Sequence, residues 1–102
     1  MAEFVAVASL DRVPPGTATT VCVNGIDVAL FNVDGTVYAL QDACAHAESS
    51  LGAGELDGRV VRCRGHGWKY DLGTGFVCGI EGFGVPTYPV KVVDGQILIA
   101  GV

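Results

Sequence analysis

Four dipeptides constrain this chain more than anything else in it: Asn24-Gly25, Asp34-Gly35, Asp57-Gly58 and Asp94-Gly95. Each sits between apolar or β-branched runs, and such pairs accept the positive φ angles that tight two-residue hairpin loops require. Between them fall the strand candidates Glu3–Ser9, Thr19–Val23, Ile26–Val33, Val37–Gln41, Arg59–Arg62, Trp68–Asp71, Phe76–Val77, Tyr88–Val93 and Gln96–Ala100. Many short strands at short spacing predict an all-β sandwich or barrel. No long stretch carries a helical period. Pro14-Pro15-Gly16 and the segment Gly79–Pro86 read as loops by composition. Neither a repeat, a linker nor a low-complexity tract is visible.

With 102 residues the chain is expected to form one compact domain. A domain of this size gains from a metal centre or a crosslink. Half of the residues are hydrophobic, which excludes a disordered chain, and the net charge of −5 argues against nucleic acid. That charge suits a soluble protein docking on basic partners. Residues Met1 to Leu10 lack a basic n-region, and no apolar run approaches a membrane-spanning length. A cytoplasmic location is therefore expected. In that compartment the four cysteines read as metal ligands or free thiols before they read as two disulfides. A monomer is the default, because no large apolar stripe is legible.

Two segments break the hairpin pattern, Asp42 to Gly54 and Cys63 to Gly67. They contain both histidines of the chain, each beside a cysteine: Cys44-Ala45-His46 and Cys63-Arg64-Gly65-His66. The pattern is C-x-H-x16-C-x2-H. Each half is weak alone; the two together are a strong signal. Two cysteines and two histidines can hold a mixed-ligand [2Fe–2S] cluster, with thiolates on one iron and imidazoles on the other. They can equally hold one structural zinc, although zinc knuckles favour closer pairs of like ligands. A catalytic Cys–His pair would explain one loop and leave the other idle.

The two loops resemble the Rieske motif, and the flanks agree. Leu51 and Gly54 follow the first loop. Leu56-Asp57-Gly58-Arg59-Val60-Val61 leads back to the second. His66-Gly67-Trp68-Lys69-Tyr70-Asp71 and Gly73-Thr74-Gly75 follow it, and Tyr88-Pro89-Val90-Lys91-Val92 opens the closing hairpin. The resemblance covers nearly the whole chain and is closest to the ferredoxin components of bacterial aromatic-ring dioxygenase systems. It implies a Rieske-like antiparallel β-sandwich, one domain over residues 1–102, with a small cluster-binding subdomain made of two ligand loops at about residues 42–80. It implies one [2Fe–2S] cluster on Cys44, His46, Cys63 and His66, with both histidines at an exposed tip. The segment Gly79–Pro86 would pack over the cluster as a third loop. Electrons would arrive from an NAD(P)H-dependent flavoprotein reductase and leave to a terminal oxygenase. Nucleic acid and membrane are not expected partners.

Chemistry explains the mixed ligand set. An oxidised [2Fe–2S] core with two thiolates and two neutral imidazoles carries no net charge, whereas four thiolates leave two negative charges. Adding an electron to the neutral site is easier. Gly65 and Gly67 would let backbone N–H groups approach sulfur. Ser49 and Gly65 stand where the cytochrome bc-type branch of the family carries a disulfide, and Trp68 replaces that branch's hydroxyl residue. Both changes remove groups that favour the reduced cluster, so a potential of roughly −150 mV, the low end of the Rieske range, is expected. Tyr70 matches a family position whose hydroxyl can reach a ligand sulfur; it is also an ordinary strand aromatic. Trp68 reads as a shield of the cluster or as core. Arg62 and Arg64 lie near the tip and can steer an acidic partner or simply be solvated. Cys22, in the alternating run Thr20-Val21-Cys22-Val23, reads as a small buried hydrophobe, and Cys78 adjoins the third loop. Neither is expected to be a ligand.

Electron transfer without substrate turnover is therefore the expected function. The chain has no spare histidines for the mononuclear iron of an oxygenase. A nitrite-reductase small subunit and a zinc-stabilised interaction module are the alternatives.

Overall fold

The computed structural model describes residues 3–42, 51–63, 68–80 and 82–101. Ten strands are assigned among them: β1 Val5–Ser9, β2 Ala18–Val23, β3 Ile26–Val33, β4 Thr36–Gln41, β5 Glu55–Asp57, β6 Val60–Arg62, β7 Lys69–Asp71, β8 Thr87–Tyr88, β9 Val90–Val93 and β10 Gln96–Ile99. Helical structure among the described residues is confined to two 3₁₀ turns, Leu10–Arg12 and Leu51–Ala53. The strands form three antiparallel sheets, ordered β1-β10-β9, β2-β3-β4-β8 and β5-β6-β7. The all-β reading holds.

Three of the four turn dipeptides behave as their chemistry dictates. Asn24, Asp34 and Asp94 take φ of 52°, 52° and 51°, and the glycines after them are also left-handed. Positive φ at both loop positions matches the twist of the flanking strands, so each closes a two-residue hairpin. The fourth differs. Asp57 remains in β5 and pairs with Val60, so the loop is Gly58-Arg59, with Gly58 at φ 58° in first position. That is the glycine-first form of a two-residue loop.

The middle sheet is buried on both faces, which period-2 geometry makes visible in β3. Val28 and Leu30 point into one core with Ala8, Val13, Val37, Ala39, Ile97 and Ile99. Ala29 and Phe31 point into the other with Leu40, Leu51, Val61, Cys63, Tyr70 and Val77. The sandwich therefore has a third layer, the small β5-β6-β7 sheet, leaning on the second core. Asn32 is buried at the end of β3 and fully used: its amide donates to the Val13 carbonyl at 2.7 Å and accepts from Gly35 N at 2.8 Å.

The single strand expected over Tyr88–Val93 is split. β8 pairs with β4 in the middle sheet, and β9 pairs with β10 in the outer one. Pro89 lies at the break; with no N–H to give, it frees the chain to change sheets.

Candidate metal centre

The described residues place the necks of both Cys/His loops side by side. The first loop leaves β4 at Asp42 and returns at Leu51. The Asp42 carboxylate accepts a hydrogen bond from Gly52 N at 2.8 Å, and Asp42 N donates to the Asp27 carbonyl at 2.8 Å. Both ends of that loop are thus anchored to the middle sheet. The second loop interrupts the β6–β7 hairpin. Its ends are closed by Cys63 N donating to the Trp68 carbonyl at 2.7 Å, just beyond the Arg62–Lys69 pair.

Backbone contact joins the two necks. Gly54 follows the first loop, and a Cβ built on it would lie 2.4 Å from the Arg62 carbonyl oxygen. Only glycine allows that approach without movement. Leu51 and Cys63, one from each neck, share a core with Val61, Tyr70 and Leu72, and Cys63 is only 1% exposed.

A third segment packs alongside. Val77 N donates to the Phe83 carbonyl and Val85 N to the Gly75 carbonyl, making a closed loop, while Cys78 N donates to the Lys69 carbonyl at 2.8 Å. The Phe83 ring meets the half-buried Trp68 ring edge-on, with centroids 5.6 Å apart and planes at 64°. The geometry is a favourable aromatic arrangement. Ile80 and Phe83 on this segment keep 48% and 39% of their surface exposed.

Of the expected ligands, Cys63 is buried at the second neck. Cys44, His46 and His66 lie outside the described residues, as do Ser49, Arg64, Gly65 and Gly67. Tyr70 is fully buried on β7 in the same core as Cys63. Cys22 is a correction: it is exposed, not buried. It lies opposite the exposed Asp27, at the far end of a β2 face that the second core reaches at Ala18, while Val21 and Val23 face the other core. Thr20, two residues before it and also exposed, carried that signal in the alternation. Cys78 is exposed as well. No helix among the described residues is long and apolar enough to cross a membrane.

The donor set fits a mixed-ligand cluster. Two loops, each carrying one cysteine and one histidine, start from necks in backbone contact, and Cys63, the one described residue of the expected ligand set, sits in an apolar core. Comparison with known proteins points the same way. The Rieske [2Fe-2S] domain matches residues 3–89. The biphenyl dioxygenase ferredoxin subunit of Pseudomonas sp. strain KKS102 is 40% identical over 98 residues, covering 94% of this chain and 90% of that protein. The ferredoxin of carbazole 1,9a-dioxygenase from Nocardioides aromaticivorans IC177 superposes with a TM-score of 0.89 at 31% identity, covering 97% of this chain and 98% of that one. A chain from the complex of reduced oxygenase and oxidized ferredoxin in carbazole 1,9a-dioxygenase gives a TM-score of 0.85 at 30% identity, covering 96% and 93%. A nitrite reductase small subunit from Mycobacterium tuberculosis shares the fold, with a TM-score of 0.90 at 24% identity over all of this chain and 97% of that one.

Proposed function

The chain belongs to the Rieske [2Fe-2S] domain family, and from that membership we propose that it is a one-electron carrier in the cytoplasm, a monomer that takes electrons from an NAD(P)H-dependent flavoprotein reductase and passes them to the terminal oxygenase of an aromatic-ring dioxygenase system. Its cofactor is one Rieske-type [2Fe–2S] cluster. Cys44 and Cys63 would hold one iron as thiolates, and His46 and His66 the other as imidazoles. The cluster-binding part would span about residues 42–80.

The observation that carries this reading is the contact of Gly54 with the Arg62 carbonyl, which sets the two ligand loops on one footing. The bound cluster supplies a single redox-active electron site. The chain's own residues do the rest. The Asp42–Gly52 and Cys63–Trp68 hydrogen bonds hold the loop necks closed. Trp68 and Phe83 pack edge-on at the second neck and add aromatic surface there. Relatives named as ferredoxin components, at 33% and 40% identity, favour electron transfer over the nitrite-reductase alternative, whose solved small subunits are 24% and 27% identical.

Electron paramagnetic resonance of the dithionite-reduced protein tests the ligand set. A rhombic mixed His/Cys signal is expected, with about two irons and two acid-labile sulfides per chain. An all-cysteine signal would draw Cys22 or Cys78 into the ligand set, and a colourless zinc protein would overturn the reading. Reconstitution with candidate reductases and oxygenases, followed by NAD(P)H oxidation, tests the partners.

A further inference from the structure

Asp42 is held more firmly than the end of a strand requires. Its N–H donates to the Asp27 carbonyl at 2.8 Å, one step beyond the last β3–β4 pair, Val28 with Gln41. Its carboxylate accepts from Gly52 N at 2.8 Å, ten residues further along the chain. A Cβ built on Gly52 would lie 2.5 Å from Thr20 Oγ1 and 3.3 Å from Asp42 Oδ1, so oxygens of both side chains close over that backbone. Asp42 is half-buried. A carboxylate is thus pinned across the mouth of the first Cys/His loop and cannot swing into solvent without giving up the Gly52 amide. The hydrogen bond itself does not call for a charge, because an asparagine oxygen accepts in the same way. What the carboxylate adds is one negative charge, placed where chain geometry keeps the Cys44 Cα within about 7 Å of the Asp42 Cα.

We propose that Asp42 is a positioning residue that also sets the reduction potential: its carboxylate holds the first loop closed and lowers the potential of the cluster that the loop carries. This rests on the electron-carrier reading above. The sign follows from charge. With two thiolates and two neutral imidazoles the oxidised site carries no net charge. One electron, delivered by the reductase, makes it one unit negative, and no bond on this chain forms or breaks. A fixed negative charge nearby raises the energy of the reduced state and leaves the neutral oxidised state nearly untouched. Across about 10 Å, at an effective dielectric constant of about 20 to 80, one unit charge shifts such an equilibrium about two- to seventeenfold. Partial burial keeps salt from screening this carboxylate as fully as an exposed one. A carrier held at a lower potential hands its electron on more readily.

Protein-film voltammetry of the cluster-loaded variants tests this, with iron content and the paramagnetic resonance signal read alongside. Asp42→Asn keeps the acceptor for Gly52 and removes the charge. It should bind iron as the wild type does and give the same resonance signal. Its equilibrium constant for reduction should rise threefold to tenfold, about 28 to 59 mV at about 59 mV per tenfold for one electron. Asp42→Ala removes the acceptor as well and should lose at least half of the bound iron. Asp34→Asn is the equal-charge control, because asparagine suits its φ of 52°. It lies beyond the other end of β4, and six strand residues at about 3.3 Å each put it about 20 Å away. That exceeds the screening length of about 10 Å at 0.1 M salt, so its shift should stay below twofold. Equal shifts in Asp42→Asn and Asp34→Asn, or an unchanged potential in Asp42→Asn, would overturn the proposal. So would loss of the cluster from Asp42→Asn, since the amide supplies the same acceptor, or full iron content in Asp42→Ala. If the reduced wild type gives no mixed His/Cys signal, the electron-carrier reading fails first; if it gives that signal and Asp42→Asn matches its potential, only the role of Asp42 fails.

Discussion

Gly54 touches the Arg62 carbonyl so closely that a single added carbon would lie 2.4 Å from the oxygen and 3.1 Å from a Val61 methyl. The contact ties the exit of one ligand loop to the entrance of the other, and neither partner can yield cheaply because the obstacle is backbone. Gly54→Ala should therefore destabilise the protein by about 1–3 kcal/mol and lower the iron and sulfide bound per chain, read by metal analysis and the visible spectrum. Gly52→Ala meets the Thr20 hydroxyl, a side chain that can rotate, and should cost less. Equal losses in the two variants would show that contact between the necks is not what matters.

Asn32 is committed at both ends of its amide, to Val13 and to Gly35. Asn32→Ala should cost about 2–4 kcal/mol, from a buried carbonyl left without its donor and a hairpin amide without its acceptor. Urea unfolding measures this. Asn32→Asp keeps the acceptor for Gly35 but loses the donor, so it should not restore stability.

Trp68 is the only tryptophan in the sequence, so its emission reports on the second neck alone. Phe83→Ala removes the edge-on contact and should cost about 0.5–1.5 kcal/mol, because Phe83 is itself partly exposed. Acrylamide quenching of Trp68 should rise in the variant. Unchanged quenching would mean that Phe83 does not shield the indole.

Histidine ligation couples electrons to protons. Oxidised iron makes bound imidazoles more acidic, and loss of a proton stabilises the oxidised state. The potential of the holo-protein should therefore fall as pH rises through the alkaline range. Protein-film voltammetry from pH 6 to 11 measures it, and a flat profile would count against the two histidines as ligands.

Much of the fold was legible because hairpin loops are local chemistry: an Asx-Gly pair between β-formers carries its own instruction. What escaped was tertiary. Asp57-Gly58 was read as the loop itself, whereas cross-strand pairing of Asp57 with Val60 moves the loop one residue on. Tyr88–Val93 read as one strand because composition does not say which sheet each half joins. Alternation reveals which face Cys22 takes but not how far along β2 the cover of that face extends, which reaches Ala18 and stops short of Cys22. At the candidate centre, the Cys/His spacing was plain in the sequence. The neck contacts were not, since Gly54 and Arg62 meet only after β5 folds back on β6.

The pairing of Val5 with Ile99 has a consequence for how the molecule assembles. That pair closes nearly the whole described chain into one ring of contacts, the kind of distant pairing that slows folding to milliseconds or longer. The β5-β6-β7 hairpins close over far shorter loops and can form first. The small sheet can thus pair its strands before the Val5–Ile99 contact closes the outer sheet.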